Sequence, residues 1–157
     1  MIFVAVGTQF PFDRLIRYVD EWASQHQVNG MAQIAEGMYT PQHLQWQRFM
    51  TTAAFNQHLQ TASLIISHAG MGNIITALEQ RKPIIVMNRQ HALGEHRNDH
   101  QLEGLAWMSQ LPGVYTASSQ EQLYALLERR HTLQPAAAAP DAHLQSLVDF
   151  IDQAIRQ

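Results

Sequence analysis

The chain has 157 residues, of which 46% are hydrophobic and 15% are charged, and it contains no cysteine. This size and composition predict one compact domain with its own core and exclude disulfides and cysteine-bound zinc. A formal net charge of −3 argues against the broad basic surface of nucleic-acid-binding proteins, so nucleic acid is not an expected partner. Without an apolar run that could span a bilayer, or a basic signal region, the chain is expected to be cytoplasmic.

The first part of the chain alternates short apolar runs with segments of helical spacing. The apolar runs predict buried parallel strands, and the helical segments predict helices that cover them. The predicted elements are a strand at 2–6 that ends at Gly7, a helix at 12–23, strands at 31–35 and 45–50, a helix at 52–61, a strand at 64–67, a helix at 73–81 and a strand at 84–87.

The second part continues the alternation after a polar loop at 88–97. A capping box between Ser118 and Glu121 is predicted to start the helix that follows a short strand at 114–115. The remaining predictions are a helix around 102–109 capped by Asn98, a main α/β domain over 1–130, a linker at 131–140 rich in alanine and proline, and an amphipathic helix within 141–157 that packs on the domain or on a partner.

Repeated strand and helix units predict an α/β fold, a Rossmann-like parallel sheet with helices on both faces. Such sheets bind their ligands at the carboxyl ends of the strands. The turn at Gly7, the turn at 67–73 and the loop at 88–101 each follow a predicted strand. These three segments are therefore expected to meet in one crevice.

The segment Ser67-His68-Ala69-Gly70-Met71-Gly72-Asn73 joins a predicted strand to a predicted helix. Glycines let a backbone approach a ligand closely, and the N–H groups of a helix's first turn attract phosphate. A tight turn without a ligand is the alternative for this segment and for the Gly7-Thr8 turn. His68 is suited to a hydrogen bond with phosphate or sugar, or equally to one with neighbouring backbone. Phosphate or nucleotide binding is the leading hypothesis.

The polar segment at 89–101 is rich in groups suited to the recognition of a diphosphate and of hydroxyl groups. Arg89 and Arg97 are expected to offset the charge of a diphosphate. Asp99, His100 and Gln101 are expected to bind sugar hydroxyls, where hydrogen bonds discriminate between stereoisomers. A solvated polar loop is the alternative, and Gln101 is also placed to close the predicted helix cap.

A metal site is not expected in this segment. His96 and His100 have the spacing of two ligands on one helical face, but Arg97 stands where the HExxH zinc motif needs glutamate. The chain also lacks a GxSxG nucleophile elbow, a Walker loop, a GxGxxG fingerprint and an Asp-x-Asp motif. The absence of these motifs argues against the large enzyme classes that they mark.

Five motifs follow one another along the chain: Gly7-Thr8, the segment 67–73, Thr76-Ala77-Leu78, Lys82-Pro83-Ile84-Ile85-Val86 and Gly94-Glu95-His96-Arg97-Asn98-Asp99-His100-Gln101. In this order, the motifs resemble the C-terminal domain of glycosyltransferase family 28 over roughly residues 1–129. More narrowly, the chain is similar to free-standing small subunits of bacterial exopolysaccharide glycosyltransferases and to the cytosolic subunit of the eukaryotic dolichol-linked N-acetylglucosamine transferase.

The resemblance implies the C-terminal half of a GT-B glycosyltransferase that holds a UDP-sugar and needs no metal or other cofactor. An acidic residue commonly binds the ribose at the Thr76 position of the family, whereas threonine offers one hydroxyl. His68 would flank the crevice. The matching positions put the diphosphate near Gly7, Thr8, Gly70, Met71, Gly72 and Asn73, and the sugar near Asp99, His100 and Gln101.

The expected function is that of the donor-binding subunit of a two-component inverting hexosyltransferase, which extends a lipid-linked saccharide in exopolysaccharide synthesis. A membrane-associated partner subunit would supply the acceptor site and the general base, and would hold the chain at the inner face of the plasma membrane. The alternatives are a non-catalytic nucleotide-sugar-binding or activating partner of another glycosyltransferase, and a nucleotide-sugar epimerase. Self-association of the isolated chain is the alternative way to cover the surface that binds the partner.

Overall fold

The computed structural model describes residues 1–7, 11–69, 71–87 and 113–135, and the strands within them form one parallel sheet. The strands are β1 (Ile2–Ala5), β2 (Gly30–Gln33), β3 (Gln45–Gln47), β4 (Leu64–His68), β5 (Ile84–Met87) and β6 (Val114–Ala117). Their order in the sheet is β3-β2-β1-β4-β5-β6, and all neighbours are parallel. Because the strands are parallel, all six carboxyl ends lie at one edge, the carboxyl edge.

Helices separate most of these strands, as the periodicity predicts, but β3 follows β2 without a helix between them. The described α-helices are α1 (Asp13–His26), α2 (Thr52–Thr61), α3 (Met71–Glu79) and α4 (Gln120–Glu128). Some boundaries differ from the predictions. The third strand stops at Gln47 rather than at residue 50, and α3 begins at Met71, two residues earlier than expected.

Both faces of the sheet are covered, which confirms the predicted fold class. Alternate residues of β1 point to opposite faces because side chains alternate along a strand. Ile2 and Val4 belong to a buried cluster with apolar residues of α1 and α4. Phe3 and Ala5 belong to a second cluster with residues of α2 and α3. The sheet therefore forms the middle of three layers.

The start of α4 differs from the predicted capping box. Ser119, rather than Ser118, is the N-cap, and its hydroxyl accepts a hydrogen bond from Gln122 N at 3.2 Å. The side chain of Gln122 reaches back and accepts from Ser118 N at 2.8 Å and from the Ser118 hydroxyl at 2.9 Å. The predicted pair of Ser118 and Glu121 was wrong by one residue because glutamine serves as well as glutamate in this motif.

The first residues of the predicted linker pack on the domain. Arg130–Thr132 form a short 3₁₀ helix, and Leu133 is buried. Gln134 N also donates to the Tyr115 hydroxyl at 2.9 Å. Two predicted helices lie outside the described residues: the one around 102–109 and the last one, which falls within 136–157. Within the described ranges, no helix is long and apolar enough to cross a membrane.

Candidate functional site

The chain adds strands on one side of β1 first and then, from β4 onward, on the other side. From β1 the chain proceeds outward through β2 to β3, and it then returns to place β4 on the other side of β1. Ala5 pairs with Gln33 on one side and with Ser67 on the other. Ligands of open α/β sheets bind outside the carboxyl ends of the strands at such a switch point. The crevice between the ends of β1 and β4 is therefore the candidate site.

Gly7 and His68 meet at this switch point. Gly7 has a φ angle of +81°, which side chains with a Cβ rarely adopt. A Cβ built on Gly7 would lie 2.9 Å from His68 Nε2, so the imidazole occupies the space that a side chain at residue 7 would need. Both the turn and the close approach of the ring require glycine here.

The peptide groups of Gly7 are held by a residue that sequence analysis missed. The side-chain oxygen of Gln33 accepts from Gly7 N at 3.1 Å, and its nitrogen donates to Gly7 O at 2.9 Å. The N–H of Gly7, a residue that the resemblance places near the diphosphate, is thus engaged within the protein. The sequence signal that could have identified Gln33 is its place inside the apolar run at 31–35, because a buried side-chain amide needs hydrogen-bond partners.

Substitution of Gly7 by alanine is expected to lower the free energy of unfolding by about 1–2 kcal/mol, because a left-handed backbone is costly for a residue with a Cβ. The contact with His68 adds to this loss. Urea denaturation measures the change, and Gly7→Ala combined with His68→Ala should show a non-additive recovery because it removes the steric contact. A Gly7→Ala protein as stable as the wild type would contradict the role assigned to this turn.

The end of β4 is fastened to the first turn of α3. The buried Ser67 hydroxyl donates to His68 O at 2.8 Å and accepts from Asn73 Nδ2 at 2.9 Å. These bonds orient the α3 N-terminus toward the carboxyl edge, where its dipole favours an anion. One amide hydrogen of Asn73, a predicted diphosphate ligand, is used in this contact.

The first turn of α3 is open around Gly72. This residue is exposed, and among the described residues no atom beyond its chain neighbours and its own helix backbone lies within 4 Å of a Cβ built on it. The described part of the chain therefore gives no steric reason for glycine at this position, whereas a ligand lying on the helix end would. Thr76, one turn further along, donates its hydroxyl hydrogen to Gly72 O at 2.8 Å and can still accept a hydrogen bond.

The structure thus brings several predicted site residues to one place. Gly7, His68, Gly72 and Asn73 lie at the carboxyl edge beside the switch point, and Thr76 lies on the next turn of α3. Met71 begins α3, and nothing is described of its side chain. The predicted residues that lie outside the described ranges are Thr8, Gly70, Arg89, Arg97, Asp99, His100 and Gln101.

A second buried polar centre, also missed by sequence analysis, lies at the opposite edge, where β3 begins. The carboxylate of Asp20, only 2% exposed, accepts from the Tyr39 hydroxyl and from the backbone N–H groups of Gln42, His43 and Leu44 at 2.7–3.0 Å. Burial by itself would raise the pKa of this carboxyl. The four donors outweigh burial and hold the pKa of Asp20 below its ordinary value of 3.8.

Comparison with known proteins identifies relatives over much of the chain. In an alignment of 113 residues that covers 65% of this chain, the chain is 31% identical to the UDP-N-acetylglucosamine transferase subunit ALG13 from Homo sapiens. The matched region is only 10% of that human protein, so this chain corresponds to a small part of it.

Solved structures share the fold. An NMR solution structure of ALG13 matches with a TM-score of 0.65 at 19% identity, and the match covers 93% of each chain. Acinetobacter baumannii MurG matches with a TM-score of 0.56 at 18% identity, over 96% of this chain and 49% of that one. The kitacinnamycin glycosyltransferase matches with a TM-score of 0.54 at 14% identity, over 94% of this chain and 37% of that one. The predicted Rossmann-like half of a GT-B fold is confirmed.

The family match extends beyond the region in which the motifs were recognised. The glycosyltransferase family 28 C-terminal domain matches residues 1–153, whereas the sequence motifs end well before the last predicted helix. Together with the parallel sheet and its switch point, this match is the basis for assigning a family. The chain belongs to the glycosyltransferase family 28 C-terminal domain family.

Proposed function

We propose that the chain is the donor-binding subunit of a two-component UDP-sugar hexosyltransferase. The observation that carries this proposal is the meeting of Gly7, His68 and the open first turn of α3 at one topological switch point. Family membership supports the reaction class. The diphosphate lies against the α3 N-terminus, with Gly72 providing room and His68 flanking it.

In the proposed reaction, an acceptor hydroxyl oxygen attacks the anomeric carbon of the donor sugar, and a general base accepts the hydroxyl proton. The bond between that carbon and the phosphate oxygen breaks, and its electron pair leaves with UDP. The N–H groups at the start of α3 and the helix dipole stabilise the charge that develops on the departing diphosphate. Since a single displacement inverts the anomeric centre, the transfer inverts configuration. Neither a metal nor another cofactor takes part in this scheme.

The acceptor site and the general base are assigned to a partner subunit. Two comparisons support this division: the human relative is named a subunit of a transferase, and the chain covers only 49% of MurG. The acceptor is proposed to be a lipid-linked saccharide of exopolysaccharide synthesis, with a membrane-associated partner holding this chain at the inner face of the plasma membrane. UDP-N-acetylglucosamine is the first donor to test, because the human relative's name contains it.

Calorimetric titration with UDP and a series of UDP-sugars tests donor binding by the isolated chain. The series includes the glucose, galactose, glucuronic acid and N-acetylglucosamine derivatives, whose hydroxyl stereochemistry and substituents a site can distinguish. We expect UDP itself to bind and one UDP-sugar to bind better than the others. A chain that binds none of these ligands would rule out the proposed function.

Transfer to a lipid-linked acceptor tests the catalytic role, with the chain co-expressed beside the product of the neighbouring reading frame. Transfer that requires both proteins supports the two-component enzyme. Unchanged transfer by the partner alone would instead give this chain the accessory role of a nucleotide-sugar-binding or activating protein. Interconversion of UDP-sugars without transfer would identify an epimerase.

An exposed apolar patch beside the crevice is proposed to contact the partner subunit. Met38 is 91% exposed and Phe49 is 49% exposed, and both follow the carboxyl ends of strands. Arg48 joins their two loops, since its guanidinium donates to Gly37 O at 2.9 Å. The patch therefore lies at the edge where an acceptor-binding partner must approach the donor.

Substitution of Phe49 by serine is expected to weaken association with the partner about tenfold while leaving UDP affinity unchanged, because exposed aromatic residues often dominate interface energies. Co-purification and a binding titration with the purified partner measure the change. Ala125→Ser, on the exposed surface of α4, is the matched control. Undiminished association of the Phe49→Ser chain would remove this patch from the interface.

A further inference from the structure

The side-chain amide of Gln33 lies at the end of β2 and has a complete set of hydrogen bonds. Its oxygen accepts from Val6 N at 3.2 Å and from Gly7 N at 3.1 Å. Its nitrogen donates to Gly7 O and to Arg48 O, both at 2.9 Å. A primary amide has two acceptor positions and two N–H hydrogens, so this arrangement uses all of them. Gln33 is only 3% exposed, which shields these bonds from water.

Where β1 ends, the hydrogen bonds of the Gln33 side chain replace the backbone hydrogen bonds between neighbouring strands. Ala5 is the last residue of β1 and pairs with Gln33, whereas Gly7 has already turned away from the sheet. Backbone groups that leave a buried ladder need new partners, and Gln33 supplies one for the N–H and one for the carbonyl of Gly7. The orientation of the Gly7 peptide groups therefore depends on this side chain.

The geometry points to Gln33 as a positioning residue of the donor site, an inference that rests on the proposed function. Gly7 lies against His68 at the switch point, so a shift of the Gly7 backbone displaces the surface on which the diphosphate would lie. Gln33 acts through Gly7 rather than by contact with the donor. It also joins the crevice to the loop after β3 through Arg48 O.

The hydrogen-bond pattern requires an amide rather than a carboxylate. In Gln33→Glu, an ionised side chain would still accept from Val6 and Gly7, but its second oxygen would face the carbonyls of Gly7 and Arg48. This repulsion, together with burial, raises the pKa of the new carboxyl, and protonation restores one donor. Gln33→Leu lacks both functions at every pH.

The test is calorimetric titration of the full chain with UDP for wild type, Gln33→Leu and Gln33→Glu at about pH 8 and about pH 5.5, on either side of the raised carboxyl pKa. We expect both variants to bind about tenfold more weakly than wild type at the higher pH, because buried backbone groups lose their partners. Only Gln33→Glu should regain affinity at the lower pH. If Gln33→Leu does not fold, this recovery carries the test by itself.

Each affinity is divided by that of wild type at the same pH, because other ionisable groups lie in this part of the fold. His68 packs on Gly7 from β4, and Asp13 lies at the start of α1. Among the described residues, the guanidinium of Arg48 places a positive charge nearby, and it donates to the carbonyls of Ala35 and Gly37. These groups and the UDP phosphate are common to all the proteins, so the ratio isolates the substituted residue.

Asp20→Asn is the control for lost stability, since it breaks buried hydrogen bonds at the opposite edge and should bind UDP as wild type does. Equal UDP affinity in wild type and both Gln33 variants would overturn the inference and leave the proposed function standing. A loss that is independent of pH and shared by Asp20→Asn would also overturn it. Absence of UDP binding by wild type would overturn the proposed function and this inference with it.

Discussion

Replacement of Gly72 by valine is expected to weaken UDP binding at least about tenfold, a change of about 1.4 kcal/mol, while the fold remains intact. The loss of UDP binding can be separated from a loss of stability because, among the described residues, only the helix itself lies close to a Cβ built on Gly72. A Cβ at this position meets no atom of the described residues beyond its own helix, yet a branched side chain is expected to cover the N–H groups at the start of α3 that are proposed to hold the diphosphate. Gly72→Ala should weaken binding less and stabilise the helix slightly, because alanine has the higher helix propensity.

Ala53→Val is the matched control for this experiment. Ala53 is likewise the second residue of its helix, α2, and it is likewise exposed. Calorimetry with UDP and thermal unfolding are measured on both valine variants. Ala53→Val should leave UDP affinity unchanged. An equal UDP affinity of the wild type and Gly72→Val would show that the diphosphate does not lie on this helix end.

Substitution of Asp20 by asparagine is expected to lower the free energy of unfolding at neutral pH by about 2–3 kcal/mol, because buried hydrogen bonds to a charged group are lost. Four donors converge on the carboxylate, and an asparagine NH₂ group would face some of them. Urea denaturation measures the loss. Glu21→Gln, an exposed acid-to-amide change on the same helix, should stay within about 0.5 kcal/mol of wild type.

The destabilisation should depend on pH in a defined direction. The folded state lowers the pKa of Asp20 below its ordinary value of 3.8, so the contribution of the carboxylate is fully present above that value. It is lost as pH falls through that value toward the folded pKa. The difference in unfolding free energy between wild type and Asp20→Asn should therefore shrink from about pH 5 to about pH 3. A difference that stays constant over this interval would contradict the assigned ionisation.

The element order of the described residues was predictable because its signals are local. Apolar runs of strand length end at turn residues such as Gly7 or begin after Pro83, and helical spacing fills the intervals between them. Alternation of these units also predicted a sheet covered on both faces. The predicted boundaries were less accurate. The helix after β4 was predicted to begin at residue 73, whereas α3 begins at Met71.

The candidate site was predictable only in part. The turns at Gly7 and Gly72 could be found from their place after strands, but the contact between Gly7 and His68 needed the strand order. Gln33 contacts Gly7 across 26 positions of sequence, a separation that periodicity does not encode. Asp20 lies among apolar residues of α1, and nothing local shows that the loop at 39–44 folds over it.

Because the strands are parallel, the residues that set stability and the residues proposed to set ligand preference lie at opposite edges of the sheet. Protein engineers usually have to balance these two properties against each other. The Asp20 centre lies where β3 begins, whereas Gly7, His68 and Gly72 lie at the carboxyl edge. Substitutions around Asp20 should change how much folded protein a cell retains, and substitutions at the carboxyl edge should change which ligand is accepted. Libraries that diversify donor preference can therefore be built on a background stabilised at the other edge, which reduces the conflict between stability and activity.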